Sequence, residues 1–158
     1  MGISGKIATF AGLMVLAGPA MAQCSADVVE LQGTGGKVRF TVEVADDDAE
    51  RATGLMNRAR MAMGAGMLFV YPGPKHAGFW MENTLIPLDM IFADATGTVT
   101  RVHENAVPLD RTSIDGGTGV QFVLEINGGL AGRMGIAPGT VLRHPAVDAA
   151  TAAWSCSD

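Results

Sequence analysis

Apolar and polar side chains alternate along much of the chain in the pattern of half-buried β-strands. Residues 38–44 (VRFTVEV) place valine and phenylalanine on one face and arginine, threonine and glutamate on the other. Turn residues rich in glycine, proline and aspartate separate further apolar segments, for example at 72–74, 94–97 and 116–117. The additional strands are predicted at residues 67–71, 78–81, 88–93, 98–104, 120–127 and 141–144.

One helix is predicted before the main block of strands. Aspartates at positions 46–48 supply N-cap oxygens and favourable charge for a helix that ends near Asn57, and residues 130–134 could add one further helical turn. Strands and helices do not alternate, which argues against a parallel α/β fold. The predicted fold class is therefore mainly β (α+β): a compact β sandwich or open barrel of six to eight short strands with one short helix packed on it.

The N-terminal 22 residues have the pattern of a secretory signal peptide. Lys6 is their only charge, an apolar run covers 7–17, and small residues occupy positions 20 and 22. The apolar run is shorter than the roughly 20 residues needed to cross a bilayer. We expect export to the periplasm or the extracellular space, a single mainly β domain at residues 23–158, and no stable membrane span after cleavage. An uncleaved anchor and a lipid anchor on Cys24 are the less favoured alternatives.

The two cysteines, Cys24 and Cys156, lie near opposite ends of the predicted mature chain. An oxidising compartment favours a disulfide between them. Redox-active thiols are the alternative, but the chain has no Cys-x-x-Cys spacing to lower a thiol pKa.

The charge balance makes nucleic acid an unexpected partner. The chain has 11 basic and 16 acidic residues, for a net charge of −5 with neutral histidines. No cluster of basic residues interrupts this acidity, and such clusters provide most of the affinity for a phosphate backbone.

The segment 79–92 (FWMENTLIPLDMIF) sets polar residues among apolar ones. Glu125 interrupts a second apolar run, 122–127, in the same way. An unpaired polar group in apolar surroundings costs roughly 1–3 kcal/mol. These residues are therefore expected to belong to a hydrogen-bond network or to line a site. In the first segment they are Trp80, Glu82, Asn83, Thr84 and Asp89.

Two arginines near the predicted helix offer partners for these carboxylates. In a structural interpretation, Arg51 or Arg58 pairs with Asp89 or Glu125 and fixes the helix to the sheet. In a functional interpretation, the same groups face a pocket for a small polar ligand, with an aromatic ring of residues 79–80 as a stacking surface. Asp89 and Glu125 could instead act as general acid and base, provided that they lie about 5–9.5 Å apart.

No metal or cofactor is predicted. Seven methionines follow residue 22, and together with His76, His103 and His144 they could bind copper in an exported protein. The histidines are scattered, however, and most of the methionines lie in core-like runs, which favours a packing role. A nucleophile elbow and a phosphate-binding loop are both missing from the sequence.

Four motifs in order resemble the family called domain of unknown function 192 (DUF192). The first is Arg51-x-x-Gly54-Leu55-Met56-x-Arg58, the second is residues 66–69 (GMLF), the third is the segment 79–92, and the fourth is residues 123–129 (VLEINGG). The resemblance covers about residues 38–144 and implies a compact, mostly β domain, often exported in bacteria, without an assigned catalytic role. It implies these characteristic polar positions, which we take as candidate ligand-binding residues: Arg51, Arg58, Trp80, Asn83, Thr84, Asp89 and Glu125.

The favoured function is an exported small-ligand-binding or accessory module of the cell envelope, with a small polar ligand or an envelope component as its partner. One alternative is an envelope carbohydrate hydrolase that uses Asp89 and Glu125. The other is a purely structural or protein-interaction domain whose partner binds an exposed loop such as residues 108–119.

Overall fold

A computed structural model describes residues 1–2 and 24–157. The predicted signal peptide, residues 1–22, lies outside these described residues except for its first two positions. The elements in chain order are β1 (Val28–Gly33), β2 (Gly36–Ala45), α1 (Asp48–Thr53), β3 (Ala65–Phe79), β4 (Leu88–Asp94), β5 (Val99–Ala106), β6 (Ile114–Asn127), α2 (Leu130–Met134) and β7 (Val141–Arg143).

The strands form one curled sheet in the order β5-β4-β6-β3-β2-β1-β7. Neighbouring strands are antiparallel except for β2 and β3, which are parallel. Thr98, next to the edge strand β5, forms a bridge with Val141 of the opposite edge strand β7, so the two edges of the sheet meet. The predicted open barrel with a short helix is confirmed.

The helix α1 lies in the connection between the two parallel strands, which cannot be joined by a tight turn. As predicted, an aspartate caps its start: the side chain of Asp47 accepts a hydrogen bond of 2.7 Å from the amide of Glu50. The helix ends earlier than predicted. Gly54 follows Thr53 with a φ of 48°, a conformation that stops a helix and that glycine adopts at low cost.

The strands predicted from the sequence differ from the structure at three places. The segments predicted as two strands at 67–71 and 78–81 form the single strand β3, because residues 72–74 (PGP) make a bulge rather than a turn. A proline fits there because a bulge leaves its residues outside the hydrogen-bond ladder. The predicted turn at 116–117 lies within β6, and β1 was not predicted at all.

The central strand β4 and residues 122–126 of β6 are buried on both faces. One face packs into an apolar cluster that includes Phe40, Leu124 and α2. The other face packs into a second cluster, which includes Phe69 and Met90. Leu55, which follows α1, belongs to this cluster as well. A polar side chain on either face of these segments is therefore enclosed.

The two ends of the segment 24–157 are tied together. Cys24 and Cys156 form the predicted disulfide. Nearby, Arg143 of β7 donates from Nε to Glu30 of β1 at 2.8 Å, and its guanidinium lies 4.2 Å from the ring centre of Trp154. Within the described residues, helices long and apolar enough to span a membrane do not occur.

Replacing both Cys24 and Cys156 by serine is expected to lower the free energy of unfolding by about 2–4 kcal/mol, because the disulfide closes a loop of 132 residues in the unfolded chain. Urea denaturation of the oxidised wild type and the double variant measures the difference. Reductant should lower the wild-type midpoint and leave the variant unchanged. Equal midpoints without reductant would show that the disulfide does not constrain the unfolded chain.

Candidate functional site

A cavity of about 240 Å³ opens between α1, the end of β3 and the loop that follows it. Leu55, Phe69 and Phe79 contribute apolar walls, and Glu125 contributes a carboxyl group. We call this space the Glu125 cavity. Four of the seven sequence-predicted site residues line it: Arg51, Trp80, Thr84 and Glu125.

Glu125 lies on the central strand β6, where its Cα partners are Met67 of β3 and Met90 of β4. The residue is 4% exposed, and burial raises the pKa of its carboxyl group to about 8. Among the described residues, no hydrogen bond or ion pair holds this carboxyl group. Its oxygens are not sealed from solvent either, so they reach water through the cavity. At neutral pH the group is mostly protonated.

Arg51 projects from α1 toward the sheet, but its guanidinium is already engaged. It donates to the carbonyl oxygen of Val70 at 2.7 Å, to the carbonyl oxygen of Asp46, and to the carboxylate of Asp48 at 2.7 Å. The side chain is only 11% exposed. Arg51 therefore holds α1 against β3 and does not neutralise Glu125.

Tyr71 lines the same cavity and was missed in the sequence analysis. Burial raises the pKa of its hydroxyl, the charge of Arg51 opposes this rise, and Glu125 adds to it. The guanidinium of Arg51 and the ammonium of Lys75 lie 5.4 Å and 4.5 Å from its ring centre. The available signal was weak: Tyr71 is the only tyrosine and ends a predicted apolar strand.

The loop after β3 forms the mouth of the cavity. Trp80 is 47% exposed there, and the guanidinium of Arg111 lies 5.6 Å from its ring centre. Thr84 is buried, and its hydroxyl donates to the carbonyl oxygen of Glu82 at 3.2 Å. The carbonyl oxygen of Thr84 accepts from the amide of Leu109 at 3.0 Å. These bonds fix the loop, so the mouth is largely preformed.

Arg58 and Asn83 do not line this cavity. Arg58 forms a two-pronged ion pair with Glu43, one contact being 2.6 Å, which raises the arginine pKa and lowers the glutamate pKa. Asn83 has a φ of 52°, which asparagine tolerates better than most residues, and its carbonyl oxygen accepts from the amide of Asn57 at 2.7 Å. Arg58 instead lines the neighbouring cavity beside Glu43.

Asp89 lies on the opposite face of the sheet from Glu125. It is opposite Ile126 in the β4–β6 register, whereas Glu125 is opposite Met90, and consecutive residues of a strand point to opposite faces. Neither Arg51 nor Arg58 pairs with either carboxyl group, so the predicted ion pairs are not formed. The two carboxyl groups do not share a cleft, so the acid and base pair is not assembled.

Three backbone amides donate hydrogen bonds to the carboxylate of the fully buried Asp89. Oδ1 accepts from Asn105 at 2.8 Å and from Gly129 at 2.9 Å, and Oδ2 accepts from Ala131 at 2.7 Å. The N-cap position of α2 is Gly129, which has no side chain to cap the helix. Asp89 supplies this cap from a neighbouring strand.

The remaining candidates do not assemble into a site. Across residues 24–157, clusters of three or more histidine, cysteine, aspartate or glutamate side chains suited to a metal are not found. His144 is buried against the carbonyl oxygen of Ala26, while His76 contacts Asp115 at the surface. The second half of the predicted interaction loop 108–119 belongs to β6.

Comparison with known proteins places the chain among proteins without an assigned activity. It is 44% identical to a protein of unknown function from Novosphingobium aromaticivorans DSM 12444, over 73% of this chain and 82% of that one, with a TM-score of 0.71. It is 40% identical to a Sinorhizobium meliloti 1021 protein that carries the provisional name of a transcription regulator, over 77% of this chain and 95% of that one, with a TM-score of 0.72. No curated protein is similar to it.

The family model for DUF192, described as Uncharacterized ACR, matches residues 29–144. This match contains every residue that lines the Glu125 cavity. It extends the region of sequence resemblance by nine residues at its N-terminal side, which brings in most of β1. The chain belongs to the DUF192 family.

Proposed function

We propose that this protein binds a small molecule in the Glu125 cavity and serves as a binding or accessory module of the cell envelope. The observation that carries the proposal is a carboxyl group, 4% exposed, at the base of an open cavity with no partner among the described residues. Buried ionisable groups that lie in a cavity with a strongly shifted pKa mark functional sites more often than average positions.

The contrast with the other enclosed charged groups strengthens this argument. Asp89 accepts three backbone hydrogen bonds, Arg143 pairs with Glu30, and Arg51 pairs with Asp48 and two carbonyl oxygens. The fold therefore compensates buried charge elsewhere. An apolar side chain at position 125 would fit between Met67 and Met90 without the desolvation cost. A binding role gives the carboxyl group a reason to be there.

Two features support a location in the cell envelope. Residues 1–22 have the composition of a signal peptide. The disulfide between Cys24 and Cys156 suits an oxidising compartment. A net charge of −5 is unfavourable for binding to a nucleic acid backbone, so the charge of this chain does not support the role that the name of the Sinorhizobium protein suggests.

A fragment screen by two-dimensional amide NMR, on protein expressed from the full-length chain, tests the proposal. We expect hits that shift the amide signals of Gly54, Gly78 and Glu125, which border the cavity. Ala52→Trp should weaken these hits by about tenfold or more, since Ala52 is an exposed wall residue and the indole would occupy the opening.

The matched control is Ala49→Trp, because Ala49 is exposed on the same helix but faces the neighbouring cavity beside Glu43 and Arg58. It should leave the affinities of the hits unchanged. A screen in which no compound shifts the cavity signals, or in which both tryptophan variants weaken binding equally, would contradict the proposal.

A further inference from the structure

We infer that the ligand of the Glu125 cavity carries a positively charged nitrogen, as an amine, amidine or guanidine on an apolar or aromatic body, and that this nitrogen pairs with the carboxylate of Glu125. This inference rests on the proposed function, since it names the class of molecule that the same cavity takes.

The charges of the described cavity residues favour a cation over an anion. Arg51 is the only basic side chain that lines the cavity, and its guanidinium already contacts Asp46, Asp48 and Val70. These contacts use three of its five N–H groups, and Asp48 already balances its charge, so an anionic ligand would add a second acceptor to a cation that is already paired. Glu125 has no such contact to lose. A cation is the ligand that gains most, because it supplies the missing counter-charge in a site of low dielectric.

The walls of the cavity suit the rest of such a molecule. Phe69 and Phe79 meet edge to face with ring centres 5.2 Å apart, and Trp80 and Tyr71 add two further rings. Cations of the protein already lie on Trp80 (Arg111) and on Tyr71 (Arg51 and Lys75), so these rings suit the apolar or aromatic body of the ligand rather than its charge. The hydroxyl of Thr84 donates to a backbone carbonyl, so its oxygen can still accept a hydrogen bond from a ligand N–H group. The cavity thus combines one acid, one acceptor and aromatic surface.

Binding of a cation should displace the proton of Glu125. Burial raises the pKa of this carboxyl group to about 8, and a nearby positive charge lowers it again. The other titratable and charged groups at the cavity are Tyr71 of β3, whose pKa is raised, and Arg51 of α1; Lys75 lies on the Tyr71 ring. At the mouth, Arg111 lies on the Trp80 ring and pairs with Glu82 at 3.1 Å. The flanking Met67 and Met90 do not titrate. Cation affinity should therefore rise with pH up to about 8.

Three molecules of nearly equal shape separate the possibilities: benzamidine, which is cationic, benzamide, which is neutral, and benzoate, which is anionic. NMR titrations of the full chain should give a benzamidine Kd at least about tenfold below those of the other two at pH 8, about 1.4 kcal/mol. Between pH 6 and 7 the benzamidine Kd should fall by nearly tenfold. Calorimetry in phosphate and Tris buffers should show release of close to one proton at pH 7.

Glu125→Gln provides the decisive variant, because the amide keeps the shape of the protonated carboxyl group and cannot ionise. It should abolish both the preference for benzamidine and the pH dependence. Retention of either would overturn the inference, as would equal binding of all three probes to the wild type. Preferential binding of benzoate would overturn the inference while leaving the cavity as a binding site. Failure of benzamidine to bind would also overturn it, whereas the proposed function fails if the fragment screen gives no hits at the cavity or if the two tryptophan variants weaken the hits equally.

Discussion

Replacing Asp89 by asparagine is expected to lower the free energy of unfolding by about 3–5 kcal/mol. The carboxylate is fully buried and accepts backbone hydrogen bonds from Asn105, Gly129 and Ala131. An amide of the same size presents an NH2 group where one oxygen stood. At least one buried backbone amide then faces a donor instead of an acceptor, and the cap of α2 is weakened.

Urea denaturation at pH 7 measures this loss, with Asp46→Asn as the matched control. Asp46 is exposed, so the same chemical change there should alter the free energy of unfolding by no more than about 0.5 kcal/mol. Hydrogen exchange of the Ala131 amide should accelerate in Asp89→Asn and remain unchanged in the control. Equal stability of the two variants would mean that Asp89 does not anchor α2 in solution.

Much of the fold follows from local patterns in the sequence. The alternation at 38–44 predicts the centre of β2, and the turn at 94–97 joins β4 to β5 as expected, with the amide of Gly97 donating to the carbonyl oxygen of Asp94 at 3.0 Å. The parallel pairing of β2 with β3, in contrast, does not follow from a local pattern. It depends on a crossover of nineteen residues through α1, and no local pattern specifies which strand lies beside which.

The proline and glycine residues at 72–74 show why local turn chemistry can mislead. The same residues that favour a turn also fit a bulge, where the backbone leaves the hydrogen-bond ladder for a few positions. In β3 the register passes from Val70 opposite Phe122 to Lys75 opposite Val120. The hydrogen-bond ladder with β6 resumes beyond the bulge. The pairing of β3 with β6, which are far apart in sequence, therefore decides that residues 72–74 form a bulge rather than a turn.

The candidate site is predictable in composition but not in geometry. The sequence singles out Glu125 and Asp89 for the same reason, since both interrupt apolar strands. Strands buried on both faces give no signal of which side is the more enclosed. The register of β4 against β6 places the two carboxyl groups on opposite faces, and only tertiary structure supplies backbone amides to one and a cavity to the other.

Glu125→Gln is expected to stabilise the protein at neutral and alkaline pH. The folded-state pKa of Glu125 is about 8 and its ordinary value is 4.5, so between these values the folded protein keeps a proton that the unfolded chain has lost. Stability therefore falls as pH rises from about 4.5 to 8, by up to about 1.4 kcal/mol per pH unit. Glutamine has no proton to lose. The advantage of the variant should be small at pH 4 and reach several kcal/mol at pH 8.

Urea denaturation of both proteins from pH 4 to 9 measures this advantage, and contributions of all other groups cancel in the difference. Glu104→Gln, at an exposed position of β5, should differ little from the wild type throughout. A pH-independent difference for Glu125→Gln would show that a partner holds the Glu125 carboxylate in solution, and the cavity would lose its uncompensated acid. If the stability difference between Glu125→Gln and the wild type rises with pH, and the variant no longer prefers benzamidine, then Glu125 both destabilises the fold and selects the ligand. That combination distinguishes a binding residue from a structural one, since replacing a structural residue lowers the stability of the protein.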